Sequence, residues 1–339
     1  MSQTLDFYTL YLSVLMNKEQ DTDSKLGYIP TFHRIYLHPK YWGMWGGALL
    51  LAITAYLPTK LRDPLLAKIG KLIGRLATGS RRRAKINLLY CFPELTEQQR
   101  EKYVDEMFAV APQSFAILAE LVLRGVDKTL ARTHWHNEQI IERLKEQQRN
   151  IIFMVPHGWA VDIPAMLLAA RGQKMAAMFH HQKDPVADYL WNKARHHFGG
   201  RLHSREAGIK PFIASVRQGY WGFYLPDQDH GKEHSEFVDF FATYKATLPA
   251  VGRLKKVCQA EIVPLFPVYD YKTHQLHIYI REPMADIAQQ SNHYIARRMN
   301  EELEYLVKPY LAQYTWILKL LKTRKAGEIE PYCRNDLYR

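Results

Sequence analysis

Ile151-Ile152-Phe153-Met154-Val155-Pro156-His157-Gly158-Trp159-Ala160-Val161-Asp162 is the stretch that decides the fold of this chain. An apolar run of Ile, Phe, Met and Val, stopped by Pro156 and Gly158, predicts a buried strand over 151–156. The residues that follow, near 158–171, are apolar and long enough for a helix. His157 then falls at the strand-to-helix junction, and Asp162 in the opening turns of the helix. Side chains at such a junction face the crevice at the carboxyl end of a sheet, where α/β proteins keep their chemistry.

A histidine followed five residues later by an acid is easily met by chance. With 15 His and 34 Asp plus Glu in 339 residues, random placement gives about 1.5 such pairs, the false-positive level expected of a short pattern. Three occur: His157/Asp162, His234/Asp239 and His277/Glu282. His277 and Glu282 belong to an alternating stretch, in which an odd spacing sends side chains to opposite faces. His234 and Asp239 lie in a polar loop. The strand–turn–helix setting therefore selects His157 and Asp162.

Working outward, further strands are expected at 174–179, 220–225, 261–269 and 274–281, with helices near 184–198, 206–218 and 244–259. This alternation argues for an α/β sheet flanked by helices on both faces. Upstream, a helical pattern runs over residues 84–124 and breaks at Pro93, after which Thr96 is placed to cap the next helix.

The formal net charge is +12 and 47% of residues are hydrophobic. Such a chain buries a substantial core and suits an anionic partner: nucleic acid, an acidic carrier protein, phosphorylated lipid or an anionic membrane surface. Its three cysteines, Cys91, Cys258 and Cys333, have no short spacing, which argues against a disulfide framework or zinc ribbon. Between Lys40 and Lys60 there is no charge, and Trp and Tyr stand at the edges. A helix over 41–59 would be about 28 Å long and could anchor the chain in a bilayer. A buried or interfacial helix is the alternative. Lys60, Arg62, Lys68, Lys71, Arg75 and Arg81-Arg82-Arg83 follow it, a bias that keeps the main domain on the cytoplasmic side. The division expected is an extension over 1–40, an anchor helix over 41–59 and a cytoplasmic domain over 60–339.

A second polar loop, Pro226-Asp227-Gln228-Asp229-His230, follows the aromatic run 220–224. Two acids and a histidine there could bind a metal, orient a base, hold a substrate hydroxyl or simply make a turn. Arg205, in Leu202-His203-Ser204-Arg205-Glu206, could meet a phosphate or an oxyanion. Adjacent histidines (His180-His181, His196-His197) point apart and argue against a metal site. Phosphate-loop, dinucleotide and Gly-x-Ser-x-Gly motifs are absent. A His–Asp dyad with no serine or cysteine beside it reads as a general base for a substrate hydroxyl, with Asp162 fixing the imidazole. The rivals are a glycerolipid-phosphate acyltransferase, a basic nucleic-acid-binding protein and a metal hydrolase.

Pro156-His157-Gly158-Trp159-Ala160-Val161-Asp162, Pro226-Asp227-Gln228-Asp229, Phe237-Val238-Asp239-Phe240-Phe241 leading to Thr247, and Gln313-Tyr314-Thr315-Trp316-Ile317-Leu318-Lys319 together resemble the late acyltransferases of bacterial lipid A biosynthesis. The ending Thr323-Arg324-Lys325 with Gly327-Glu328 continues the likeness, which runs from about residue 28 to the carboxyl terminus. Within the family it is similar to the branch that adds the last, myristoyl, chain. The resemblance implies a glycerophosphate-acyltransferase-like mixed α/β sheet, a single amino-terminal membrane-anchoring helix and a cytoplasmic active site at the inner membrane. It implies acyl carrier protein as donor, a 3-hydroxyacyl chain of Kdo-lipid A as acceptor, no metal or other cofactor and no nucleic acid. His157 and Asp162 take the family's catalytic positions, and Arg205, Asp227 and Asp229 its substrate-binding positions. Many members carry Glu where this chain has Asp162, so the reach of the acid differs.

Overall fold

The computed structural model describes residues 27–338; of the extension expected over 1–40, residues 1–26 lie outside them. Helices α1 (Trp42–Tyr56), α2 (Thr59–Leu76), α3 (Thr78–Cys91), α4 (Glu97–Arg124) and the short α5 (Asp127–Leu130) come first. Then follow β1 (Thr133–His136), α6 (Gln139–Glu146), β2 (Asn150–Met154), α7 (Asp162–Ala170), β3 (Met175–Phe179), α8 (Pro185–Arg195), β4 (Arg201–Ser204), α9 (Lys210–Arg217) and β5 (Trp221–Tyr224). The chain continues through β6 (Glu236–Phe240), β7 (Thr243–Thr247), α10 (Ala250–Cys258), β8 (Ala260–Asp270), β9 (Gln275–Ile280) and α11 (Asn292–Val307).

Seven strands form a mixed sheet in the order β1-β9-β8-β2-β5-β3-β4, and β6 with β7 forms a separate two-stranded hairpin. Neighbours in the large sheet run parallel except β8 and β9. The apolar run at 151–154 explains why β2 is central. Ile151 and Phe153 pack among α4, α6 and α7 on one face, while Ile152 and Met154 pack against α9, α10 and α11 on the other. Burial of both faces is what a continuous rather than alternating apolar strand specifies.

Thr96 caps α4, as its place after Pro93 signalled, and Gln99 completes a reciprocal capping box with it. Gly70 and Gly74 let α2 lie directly on α4: a Cβ at Gly70 would stand 2.1 Å from the Phe108 carbonyl oxygen. Arg62, counted among the cations that follow the anchor stretch, is fully buried, with Nε 3.0 Å from Asp63 and Nη1 2.6 Å from Glu120. Asp63 in turn accepts from His274 Nδ1 at 2.8 Å and from the Tyr269 hydroxyl. This network ties α2 to α4 and to the end of β8.

The structure departs from the sequence reading in two places. The helix foreseen from residue 244 begins at Ala250, because Thr243–Thr247 pairs antiparallel with Glu236–Phe240 and buries Lys245, Ala246 and Thr247. Strands β1, β4, β6 and β7 were not foreseen; each has only four or five residues. The basic carboxyl-terminal segment forms no helix over residues 314–330, and Trp316 and Leu320 in it are fully buried.

The apolar stretch expected as a helix over 41–59 forms α1. At 15 residues it is about 22 Å long. One side of it docks on the domain, where Arg124 Nη1 donates to the Ala55 carbonyl at 2.9 Å. Among the described residues, the helix long and apolar enough to cross a bilayer is α4, which is mostly buried in the core. The outer faces of α1 and α2 expose Leu49, Leu50, Ile53, Leu61, Leu65 and Leu72, beside exposed Lys60, Lys68, Lys71 and Arg75.

Candidate active site

Strands β2 and β5 are parallel neighbours, with Met154 opposite Tyr224, so the two polar loops leave the sheet side by side. Val155 still donates to the Tyr224 carbonyl at 2.9 Å. Three residues further, the chains have separated enough for the side chain of one loop to meet the backbone of the other. Asp227 Oδ2 accepts the His157 backbone N–H at 2.8 Å, and Asp227 Oδ1 pairs with His157 Nδ1. Asp227 is 1% exposed, so this carboxylate is held by protein donors rather than by water.

Tyr314 completes the carboxylate's shell, its hydroxyl donating to Oδ2 at 2.7 Å. Its neighbour Thr315 fixes the other end of the histidine, donating from N at 2.9 Å and Oγ1 at 2.8 Å to the His157 carbonyl. Gly158 bridges to Tyr314, and a Cβ there would lie 3.0 Å from the Phe266 ring and 3.1 Å from the Gln313 carbonyl oxygen. The segment 313–315 therefore clamps the histidine loop, and Gly158 permits that approach. Lys245 on β7, fully buried, donates to the Asp227 backbone carbonyl at 2.6 Å.

The electrostatics follow from this packing. Burial alone would raise the Asp227 carboxyl, but the His157 imidazole and backbone N–H, with Lys245, outweigh it and hold it at about 2. Burial lowers the Lys245 ammonium, opposed by Asp227 and Asp229. Burial and then Arg205 and Lys245 lower His230. In the neutral imidazole, pairing with the ionised Asp227 carboxylate places the ring proton on Nδ1 and leaves Nε2 its lone pair. Gln228 Nε2 stands 3.3 Å from His157 Nε2, donating toward that lone pair, and Gln228 Oε1 accepts from Arg205 Nη1 at 2.6 Å. Arg205 also reaches His230 Nδ1 at 3.1 Å.

The expected pairing of His157 with Asp162 is not formed. Asp162 opens α7, and the turn at 158–161 delivers its carboxylate to α8. There it takes Arg195 Nε at 2.8 Å and Nη2 at 3.1 Å, and Trp191 Nε1 at 2.7 Å. Both oxygens are thus engaged away from the imidazole, and Asp227 does what was expected of Asp162. The two loop aspartates separate as well. Asp229 accepts from Gly231 N at 2.9 Å and from Thr323 N and Oγ1 at 2.6 and 2.7 Å, so it anchors the carboxyl-terminal segment. Sequence reasoning gave no role to Gln228, Lys245, Tyr314 or Thr315. Gln228 stood between the two aspartates already singled out, and Tyr314-Thr315 stood in a quoted motif, but their partners lie 71 to 158 residues away or on another element.

A histidine held through Nδ1 by a buried carboxylate, with no serine or cysteine side chain bonded to it among the described residues, is an arrangement able to take a proton from a hydroxyl. The model for bacterial lipid A biosynthesis acyltransferases matches residues 29–323. The chain is 63% identical over 311 residues to the lipid A biosynthesis myristoyltransferase of Escherichia coli (strain K12), covering 92% of this chain and 96% of that one. It is equally similar, 63% over 311 residues with the same coverage, to lipid A biosynthesis acyltransferase 1 of Shigella flexneri. The lipid A biosynthesis lauroyltransferase of E. coli is 28% identical over 326 residues, covering 88% of this chain and 97% of its own length. This chain belongs to the bacterial lipid A biosynthesis acyltransferase family.

Proposed function

We propose that this chain transfers a myristoyl group from acyl carrier protein to the hydroxyl of a 3-hydroxyacyl chain on Kdo-lipid A, with His157 as general base. One observation carries the chemistry: His157 Nδ1 is tied to a buried carboxylate while Nε2 faces a polar amide with its lone pair available. The name of the E. coli relative at 63% identity supports the myristoyl group, and the names of both relatives at that identity support lipid A biosynthesis. In this reading the acceptor hydroxyl displaces the Gln228 amide from Nε2. As its oxygen bonds to the thioester carbon, its proton passes to Nε2, and Asp227 stabilises the imidazolium. The tetrahedral intermediate then expels the carrier's thiolate, which takes that proton back from Nε2. No enzyme-bound acyl group forms. Cys91 and Cys258 are buried, and burial raises both thiols, which supports direct transfer.

The acidic carrier suits exposed Arg205, Lys322 and Lys325 around the site loop. The apolar outer faces of α1 and α2, rimmed by lysines, suit the cytoplasmic leaflet of the inner membrane. At about 22 Å, α1 is shorter than the ~30 Å hydrocarbon core. That length, together with its docking on α4, favours a helix pair lying in the interface over a single crossing. Mass spectrometry of lipid A from cells with and without the protein tests the assignment. A gain of one myristoyl group on Kdo-lipid A is expected; a phospholipid product with unchanged lipid A would refute it.

A further inference from the structure

Away from the His157 loop, a cleft of about 320 Å³ opens where the α1–α2 corner meets the carboxyl end of α4, lined by Tyr56, Thr59, Glu120, Arg124, Lys128 and Arg132. We propose that it binds the anionic phosphodiester headgroup of a membrane phospholipid.

The charges of the cleft support this. Glu120, its acidic wall, is already matched: Oε2 takes Arg62 Nη1 at 2.6 Å and Arg132 Nη2 at 3.0 Å. Arg62 is also paired with Asp63, so the four charges Arg62, Asp63, Glu120 and Arg132 cancel. Even so, Arg62 Nη2 and Arg132 Nη1 remain buried without a partner, and the two guanidiniums hold more donors than the carboxylates use. Arg124 and Lys128 are then surplus cations. Arg124 is fixed in place by the Ala55 carbonyl at 2.9 Å and by the Tyr56 ring, 5.4 Å from its guanidinium carbon. Lys128 is exposed. The positioned Arg124 guanidinium and the exposed Lys128 ammonium, both lining the cleft with Thr59, match a phosphate diester.

The surroundings select a lipid over a free anion. Tyr56, Leu61 and Leu123 at the rim are exposed and continue the apolar outer face of α1 and α2. A tyrosine and cations at the edge of an apolar surface mark the headgroup level of a bilayer. The location rests on the membrane-facing reading of α1 and α2, so the experiment reads the cleft without a bilayer.

The full chain in detergent is given excess phosphatidylglycerol or phosphatidylcholine and examined by native mass spectrometry. One phosphatidylglycerol should be retained per chain and phosphatidylcholine should not. Lys128→Glu should reduce retention about ten-fold or more, the order expected for reversing one interfacial charge. Lys71→Glu, on the outer face of α2, should leave retention unchanged. Equal loss in Lys71→Glu would mean a diffuse basic field, and unchanged retention in Lys128→Glu would mean binding elsewhere; either overturns the site. Displacement of the lipid by millimolar inorganic phosphate would make it a free-anion site and overturn the lipid assignment. Failure of the full chain to float with phosphatidylglycerol vesicles, with retention in detergent intact, would refute the membrane-facing reading alone.

Discussion

Asp227→Asn places one amide where two carboxylate oxygens now serve different donors. If the amide nitrogen replaces Oδ1, it donates to His157 Nδ1 and drives the ring proton to Nε2, where no lone pair is left to receive the acceptor's proton. If it replaces Oδ2, it confronts the His157 N–H that Oδ2 now accepts at 2.8 Å, and an opposed buried donor costs about 1–3 kcal/mol. The first arrangement avoids that penalty, so the variant should fold and fail at chemistry. Losing a general base lowers turnover by about 10²–10⁴, equivalent to roughly 3–5 kcal/mol of barrier. Single-turnover transfer from radiolabelled myristoyl carrier protein to Kdo-lipid A in detergent, beside a thermal melt, measures both effects. A folded variant within a few-fold of the wild-type rate, or one altered in KM alone, would refute the pairing.

Further expectations rest on separate contacts. Asp162→Asn and Arg195→Gln break the same contact between α7 and α8, so their double variant should be no worse than the poorer single one, within about 0.5 kcal/mol. Each should multiply with Asp227→Asn, whereas coupling of Asp162→Asn to Asp227→Asn in a rate cycle would return Asp162 to the imidazole. The depressed Asp227 carboxyl, at about 2, stabilises the fold fully above its unfolded value of ~3.9. That contribution, roughly 2 kcal/mol, is lost as pH falls from about 4 to about 2. Melts across this range should therefore drop more steeply in wild type than in Asp227→Asn, and parallel curves would contradict the assignment. Leu65→Glu with Leu72→Glu on the exposed face of α2 should cut flotation with anionic vesicles about ten-fold or more, since each leucine contributes roughly 1.5–3 kcal/mol of apolar transfer. Unchanged flotation would remove α2 from the membrane surface.

The legible parts of this fold are those written in local sequence. The apolar run expected as a strand over 151–156 announced a buried strand, and Thr96 after Pro93 announced a helix start; both are present. Strand β7 was hidden because Thr-Tyr-Lys-Ala-Thr reads as polar, and only its pairing with β6 explains why Lys245 is buried. His157 was legible as a residue at the end of a strand, but its partner was not. The choice between Asp162 and Asp227 depends on β5 lying next to β2, a matter of sheet order that spacing along the chain does not encode. Local spacing favoured the acid five residues away, and the turn at 158–161 carries that acid to Arg195. The same limit hid Tyr314 and Thr315, whose contacts with the site close loops of 87 and 158 residues.

Proton removal by His157 is tested most directly by the single-turnover rate of purified His157→Ala with both substrates saturating. Transfer slowed about 10²–10⁴-fold in a folded protein that still binds both substrates is the expected result. A rate near wild type, or an acyl group trapped covalently on the enzyme, would contradict it.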